Sequence, residues 1–160
     1  MFHVIEPSDK LLDLIYDAAT DEALWVPALT EIADIAGSLG GFLAGVQNNG
    51  GFVSILFNAR MSEDSHRIHA ERHIDNPWFR YMIHSPVGKW VQSDEIISLP
   101  DLRRTAFFDE VLRPQRMAHN AMVPLAAEDD FSCHSTFAAV KCRGLLKRRF
   151  CDFSRSSTRT

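Results

Sequence analysis

The sequence has few cysteines and no long apolar run. Cys133, Cys142 and Cys151 are an odd number of cysteines without a C-x-x-C pair, which argues against a disulfide framework or a zinc site. No run approaches the roughly 20 apolar residues of a membrane-spanning helix, and the N-terminus lacks the basic start and apolar stretch of a secretory signal. We therefore expect free thiols, no contact with a membrane and a cytoplasmic location.

Catalytic and phosphate-binding signatures are also missing. The sequence contains no G-x-S-x-G, no H-E-x-x-H and no glycine-rich phosphate loop. The segment GSLGG at 37–41 ends a predicted helix and enters a strand, which is the wrong order for a phosphate-binding loop. We expect that the protein is not an enzyme and that it has no cofactor.

Basic residues are scarce in most of the chain. Residues 1–140 carry 10 Lys and Arg against 20 Asp and Glu, a net charge of −10, whereas residues 141–160 carry 7 basic residues and only one acid, a net charge of +6. An acidic surface disfavours contact with a phosphate backbone. We therefore expect no specific nucleic-acid binding by this chain.

What is present suffices for one folded domain, because the 160 residues are 46% hydrophobic and 24% charged, as in globular proteins. Helical spacing and capping residues predict a first helix after Ser8 and a second whose body starts at Pro27 and stops at Gly37. They also predict a third helix after Ser62 and a fourth from Pro77. In the first helix, one apolar stripe is predicted to consist of Leu11, Leu12, Ile15, Tyr16 and Ala19.

Strand signals lie between and after these helices. GGFLAGVQ and FVSILF flank NNGG at 48–51 and predict a hairpin. KWVQ, HNAMVPLA and FSCHSTFAAVK predict three further strands, and LRRTAFFDEVL predicts one or two short helices. The order ααββααβααββ has no regular βα alternation. It predicts an α+β domain with a central antiparallel sheet and helices packed around it.

Two polar segments have a functional and a structural interpretation. His66, His69 and His73 lie on one face of the third helix and could share a metal, but the charged residues around them favour a solvated face and no metal site. The arginines of LRRTAFFDEVLRPQR suggest nucleic acid, but helical spacing predicts a solvated surface for them. The same spacing predicts a core stripe of Phe107, Phe108, Val111 and Leu112.

Four segments carry a family resemblance: LLDLIYDAATDEALWVPALTEIAD, HAERHIDNPWFR, KWVQSDEI and FFDEVLRPQ. In this order they resemble the N-terminal sensory domain of LuxR-type helix-turn-helix transcriptional regulators, and most of all the rhizobial-type members with a PAS/GAF-like input domain. The resemblance covers roughly residues 8–141. It implies a PAS/GAF-like sensory domain over residues 1–141 that binds a small-molecule effector, forms a homodimer and precedes a DNA-binding domain.

The resemblance also implies where an effector would bind. Asp75 or Asn76 would supply a polar contact or only the cap of the fourth helix. Relatives that sense acyl-homoserine lactones have Asp directly before the proline, whereas Asn76 stands there in this chain, so that ligand is not predicted. The predicted pocket lining consists of Trp78, Tyr81, Trp90 and Phe107. The alternative is a protein-interaction module whose pocket is filled by its own side chains and whose first two helices dimerise.

The C-terminal residues depart from the family, which continues through a Gly-Pro-Phe turn into an amphipathic helix. This chain reads CRGLLKRRFCDFSRSSTRT. One base deleted from a suitable coding sequence for a family-like peptide, Gly-Pro-Phe-Glu-Glu-Ala-Val-Leu-Arg-Leu-Phe-Ala-Leu-Val-Asn-Ala-His, yields residues 144–160. We therefore expect a regulator truncated or frameshifted after about residue 143, with residues 142–160 as a basic, disordered tail. A naturally occurring basic tail is the alternative.

Overall fold

The computed structural model describes residues 8–47, 52–128 and 131–139. The predicted NNGG turn, the domain boundary at 141 and the basic tail with its proposed frameshift lie outside these residues. Cys142 and Cys151 also lie outside them. Cys133 is a free, half-buried thiol, and burial raises its pKa.

The first helix, α1 (Asp9–Ala18), begins as predicted. The Ser8 hydroxyl accepts a hydrogen bond from the Leu11 N–H at 3.2 Å and so caps the helix. The predicted apolar stripe is only partly buried, because Leu11 is 1% exposed whereas Tyr16 is 75% exposed. One side of α1 therefore presents apolar surface outside the core.

The second helix, α2 (Trp25–Ala36), starts two residues before the predicted position. A 3₁₀ turn, Glu22–Leu24, runs directly into it and is capped by the Asp21 carboxylate. Pro27 is the third helical residue, where a missing N–H costs nothing because the first four helical N–H groups have no intrahelical acceptor. Gly37, at φ 65°, ends the helix in the left-handed conformation as predicted.

The remaining elements follow the predicted order, with additional short helical segments after the third strand. No helix in the described ranges is long and apolar enough to cross a membrane. The elements are β1 (Gly40–Gln47), β2 (Phe52–Ala59), α3 (Glu63–Arg72), α4 (Pro77–Met82), β3 (Val91–Gln92), α5 (Ser93–Ile96), α6 (Leu99–Leu102), a π-helix (Phe108–Leu112), β4 (His119–Ala127) and β5 (Phe131–Ala139).

The five strands form one sheet in the order β2-β1-β5-β4-β3, and every neighbouring pair is antiparallel. The predicted α+β class with a central antiparallel sheet is therefore confirmed. At the start of β1, a Cβ on Gly40 would lie 2.4 Å from the Ala59 carbonyl oxygen. This close approach of two backbones requires glycine at that position.

Helices cover both faces of the sheet. Leu29 and Ala33 of α2 pack with Leu43 of β1 and Ala121 of β4 in one buried cluster. Phe42 precedes Leu43 in β1 and packs in the other cluster, with α4, α6 and the π-helix, because successive strand residues point to opposite faces. The predicted stripe in the π-helix region is confirmed, because its four residues are all buried, with 1% to 7% of their surface exposed: Phe107, Phe108, Val111 and Leu112.

Candidate functional site

A cavity of about 60 Å³ lies between the sheet and the layer formed by α3, α4 and the π-helix. Phe42 contributes to its floor from β1, and Asn120 and Met122 contribute from β4. Four of the five methionines in the chain line it, together with four aromatic rings. These side chains are Met61, Met82, Met117, Met122, Phe42, Trp78, Phe79 and Phe107.

Trp78 stands at the centre of this wall. It is the second residue of α4 and is 5% exposed. Its ring meets Phe107 edge to face, with centroids 5.3 Å apart and planes at 87°. The indole nitrogen Nε1 is buried and has no hydrogen-bond partner among the described residues. A buried indole N–H ordinarily finds an acceptor, so this donor is an exception among buried polar groups.

Two histidines of α3 also line the cavity, which corrects the interpretation of this helix face as solvated. The His66 ring packs edge-on against Phe42, with centroids 4.9 Å apart. Its Nε2 atom is buried without a partner in the described residues, and burial lowers the pKa of His66 from 6.5 to about 4. The apolar pattern of α3 is weak because its inward positions are filled by histidine and serine instead of leucine.

Asn76 lines the same cavity, but its amide holds the local backbone together. Its Oδ1 atom accepts the backbone N–H groups of Trp78 and Phe79, both at 3.1 Å, and so caps α4. Its Nδ2 atom donates to the His73 carbonyl oxygen and to His69 Nε2, both at 2.8 Å. An amide is needed here because a carboxylate could serve as the cap but could not donate.

Three of the six predicted pocket residues line the cavity, namely Asn76, Trp78 and Phe107. Asp75 lies on the surface in a bidentate ion pair with Arg80, whose hydrogen bond lowers the pKa of Asp75. The Tyr81 hydroxyl lies 3.4 Å from the Lys89 ammonium, which donates to it. Trp90 packs against the α2 cluster, on the opposite face of the sheet.

Asn120 is a cavity residue that the sequence interpretation did not single out. It is 5% exposed, and its Oδ1 atom has no partner among the described residues. Its backbone N–H donates to the Ser93 hydroxyl at 3.0 Å and fixes the start of β4. The available signal was its position two residues before Met122 in an apolar strand, because residues two apart in a strand face the same side of the sheet.

The third histidine of α3 joins the helix to the π-helix. His73 Nε2 lies 3.1 Å from the Glu110 carboxylate, which also pairs with Arg72 at 3.4 Å. The hydrogen bond from His73 and the charge of Arg72 lower the pKa of Glu110. Within the described ranges, no three His, Cys, Asp or Glu side chains come together in a way that could hold a metal.

Comparisons with known proteins support the fold. No protein-family model matches the chain, and no curated protein sequence matches it. Among solved structures, the chain is similar to the VqsR LBD domain from Pseudomonas aeruginosa, with a TM-score of 0.67 and 10% sequence identity. The match covers 89% of this chain and 96% of that one. This chain therefore shares the fold of that domain.

Proposed function

We propose that this chain is the sensory input domain of a LuxR-type regulator and that it binds a small effector in the cavity beside Trp78. This proposal rests on three residues that line one cavity and that each carry a buried polar atom without a partner among the described residues: His66 Nε2, Trp78 Nε1 and Asn120 Oδ1. A buried polar group without a partner costs about 1–3 kcal/mol. A cavity that collects three such groups is poorly explained by folding alone and well explained by a ligand that pairs with them.

The wall of the cavity also suits binding better than catalysis. Among the described residues that form it, apolar and aromatic side chains predominate, and Lys, Arg, Asp and Glu are absent. The proposal therefore includes no catalytic step. It also includes no nucleic acid as a partner of residues 1–140, whose net charge is −10.

A thermal-shift screen against a library of small molecules tests the proposal. A ligand at 100 times its dissociation constant adds about 2.7 kcal/mol to the free energy of unfolding, which raises the melting temperature of a domain of this size by several degrees. A matched control is Val111→Phe, because Val111 lines the cavity and the larger ring fills it. Hits should stabilise the wild type and not this variant. A screen without hits, or hits that stabilise both proteins equally, would contradict the proposal.

The interaction module is the second candidate, and a separate observation favours it. Leu12 and Tyr16 of α1 are 39% and 75% exposed, and Val26 of α2 is 41% exposed. We propose that these exposed apolar side chains of the first two helices contact a second copy of the chain. Sedimentation equilibrium should show a dimer that Tyr16→Glu weakens and that Val87→Glu leaves unchanged, since Val87 is exposed elsewhere. A wild type that is monomeric at high concentration would contradict the dimer.

A further inference from the structure

We propose that the cavity takes a compact, uncharged molecule with an aromatic body, at least one hydrogen-bond acceptor and at least one donor. This inference rests on the proposed function and defines the chemical class of its effector. The acceptor would pair with the indole N–H of Trp78, and the donor would pair with Asn120 Oδ1. Both side chains are 5% exposed, and both atoms lack partners among the described residues.

The two unpaired atoms demand opposite partners. An indole nitrogen can only donate a hydrogen bond, and an amide oxygen can only accept one. A molecule that offers only acceptors would leave Asn120 Oδ1 unpaired, and a hydrocarbon would leave both atoms unpaired. His66 Nε2, the third unpaired atom, accepts or donates according to the tautomer of the imidazole. It is therefore compatible with either kind of ligand group.

The wall is electrically neutral at physiological pH. Burial lowers the pKa of His66 to about 4, so its imidazole is uncharged. His69 Nε2 lies 2.8 Å from Asn76 Nδ2, and an amide nitrogen that is donating requires this ring nitrogen to be an unprotonated acceptor. Because a charge buried without a counter-charge is strongly unfavourable, the cavity selects a neutral molecule.

The size and composition of the wall favour a compact aromatic ligand over an extended chain. The cavity measures about 60 Å³, which is smaller than the about 150 Å³ of an apolar cavity that holds benzene. A ring can therefore enter only if wall side chains move aside, and the four methionines have the flexible, polarisable side chains to do so. The edge-to-face pair of Trp78 and Phe107 offers a ring a further aromatic partner.

Three probes of similar size separate these requirements: phenol, toluene and benzoate. Phenol supplies a neutral ring with a hydroxyl that donates and accepts, toluene supplies the ring alone, and benzoate supplies a charged ring. The readout is the indole N–H spectrum of protein labelled with ¹⁵N-tryptophan, which contains three such groups. Trp78→Phe assigns the resonance of Trp78. Phenol should shift this resonance and bind about fivefold to a hundredfold more tightly than toluene, the value of two neutral hydrogen bonds, and benzoate should not bind.

Asn120→Leu is the second variant, and it keeps the experiment decisive if Trp78→Phe fails to fold. It removes an unpaired acceptor, so the protein should fold at least as stably, and the preference for phenol over toluene should become smaller because only the hydrogen bond from Trp78 remains. Equal binding of phenol and toluene to the wild type would overturn the inference and leave an effector site in place. Benzoate that binds as tightly as phenol would also overturn it. If no probe binds, the inference fails, while the proposed function is judged separately by the library screen.

Discussion

At the scale of single residues, the side chain of Asn76 forms hydrogen bonds with four separate groups. Its oxygen caps α4, and its nitrogen joins His69 to the end of α3 through the His73 carbonyl group. The amide has only one orientation that satisfies all of these contacts, because the oxygen must face the two N–H groups. Position 76 therefore requires both an acceptor and a donor, whereas an ordinary helix cap requires only an acceptor.

The need for both an acceptor and a donor predicts an order of stability among variants of Asn76. Asn76→Asp retains the cap but loses both donors and places a carboxylate oxygen against the His73 carbonyl oxygen, so we expect a loss of about 1–3 kcal/mol in the free energy of unfolding. Asn76→Ala loses the cap as well and should be less stable still. Urea unfolding of the two variants measures this order. Unchanged stability of Asn76→Asp would show that the donated hydrogen bonds contribute nothing.

His66 predicts a pH dependence of stability with a definite sign. Its pKa is about 4 in the folded protein and 6.5 when the imidazole is solvated, so between these values the unfolded state binds more protons. The free energy of unfolding should therefore fall as the pH is lowered from 6.5 towards 4 and should be unaffected by this group above 6.5. Melting temperatures of the wild type and His66→Gln at pH 7 and pH 5 test the sign.

The control for this comparison is His84→Gln, because His84 is exposed at the end of α4. Only the change at His66 should reduce the loss of stability between the two pH values. The carboxylates titrate alike in all three proteins, so the differences between them isolate the imidazole. An identical loss in the wild type and His66→Gln would mean that His66 is not held neutral by burial.

At the scale of elements, the start of β1 is defined by the contact between Gly40 and β2. Gly40→Ala would place a Cβ 2.4 Å from the Ala59 carbonyl oxygen, so the two strands must separate locally. We expect a loss of about 1–3 kcal/mol, the usual cost of an overpacked site. Urea unfolding of the wild type and the variant measures this loss. A Gly40→Ala protein as stable as the wild type would contradict the close approach.

Sequence patterns predicted the elements better than they predicted the site. Caps at Ser8, Ser62 and Asn76 are local interactions within three residues, and the structure contains all of them. The start of α2 was placed too late because a proline is equally acceptable anywhere in the first helical turn. The family resemblance predicts Trp90 as a pocket residue, but Trp90 lies on the opposite face of the sheet. The face on which it lies depends on the pairing of β3 with β4, which is not a local interaction.

The cavity was harder to predict from the sequence because it also depends on contacts that are not local. Its wall combines residues from β1, α3, α4, the π-helix, β4 and β5, which are distant in sequence. A polar residue such as Asn120 or His66 gives no local sign of whether it is paired or unpaired. Only the assembled layers show that an atom of each side chain lacks a partner among the described residues.

At the scale of the whole molecule, the two helical layers differ in character. The α2 layer is packed with small residues, and Ala28 and Ala33 are 0% exposed. The other layer holds the methionines, the cavity and the unpaired polar atoms. We therefore expect local opening to be easier on the cavity side than on the side of α2.

Amide hydrogen exchange with and without a ligand from the thermal-shift screen tests this asymmetry. Without ligand, α3, α4 and the π-helix should exchange faster than α2. Saturating ligand should slow exchange in those three elements and change α2 little, because they line the cavity and α2 contributes no residue to its described lining. Equal protection of both layers by the ligand would place its binding site elsewhere.

The order of the sheet has a consequence for protein synthesis. β5 lies between β1 and β4 in space but follows the other four described strands in the chain. The β1–β2 pair and the β3–β4 pair therefore remain two separate half-sheets until Phe131–Ala139 leaves the ribosome. Until then, the inner edges of β1 and β4 are unpaired and open to intermolecular association. Closure of the sheet is a late, long-range step of the kind that slows folding. The nascent chain therefore depends on its last described strand to protect the edges of those made earlier.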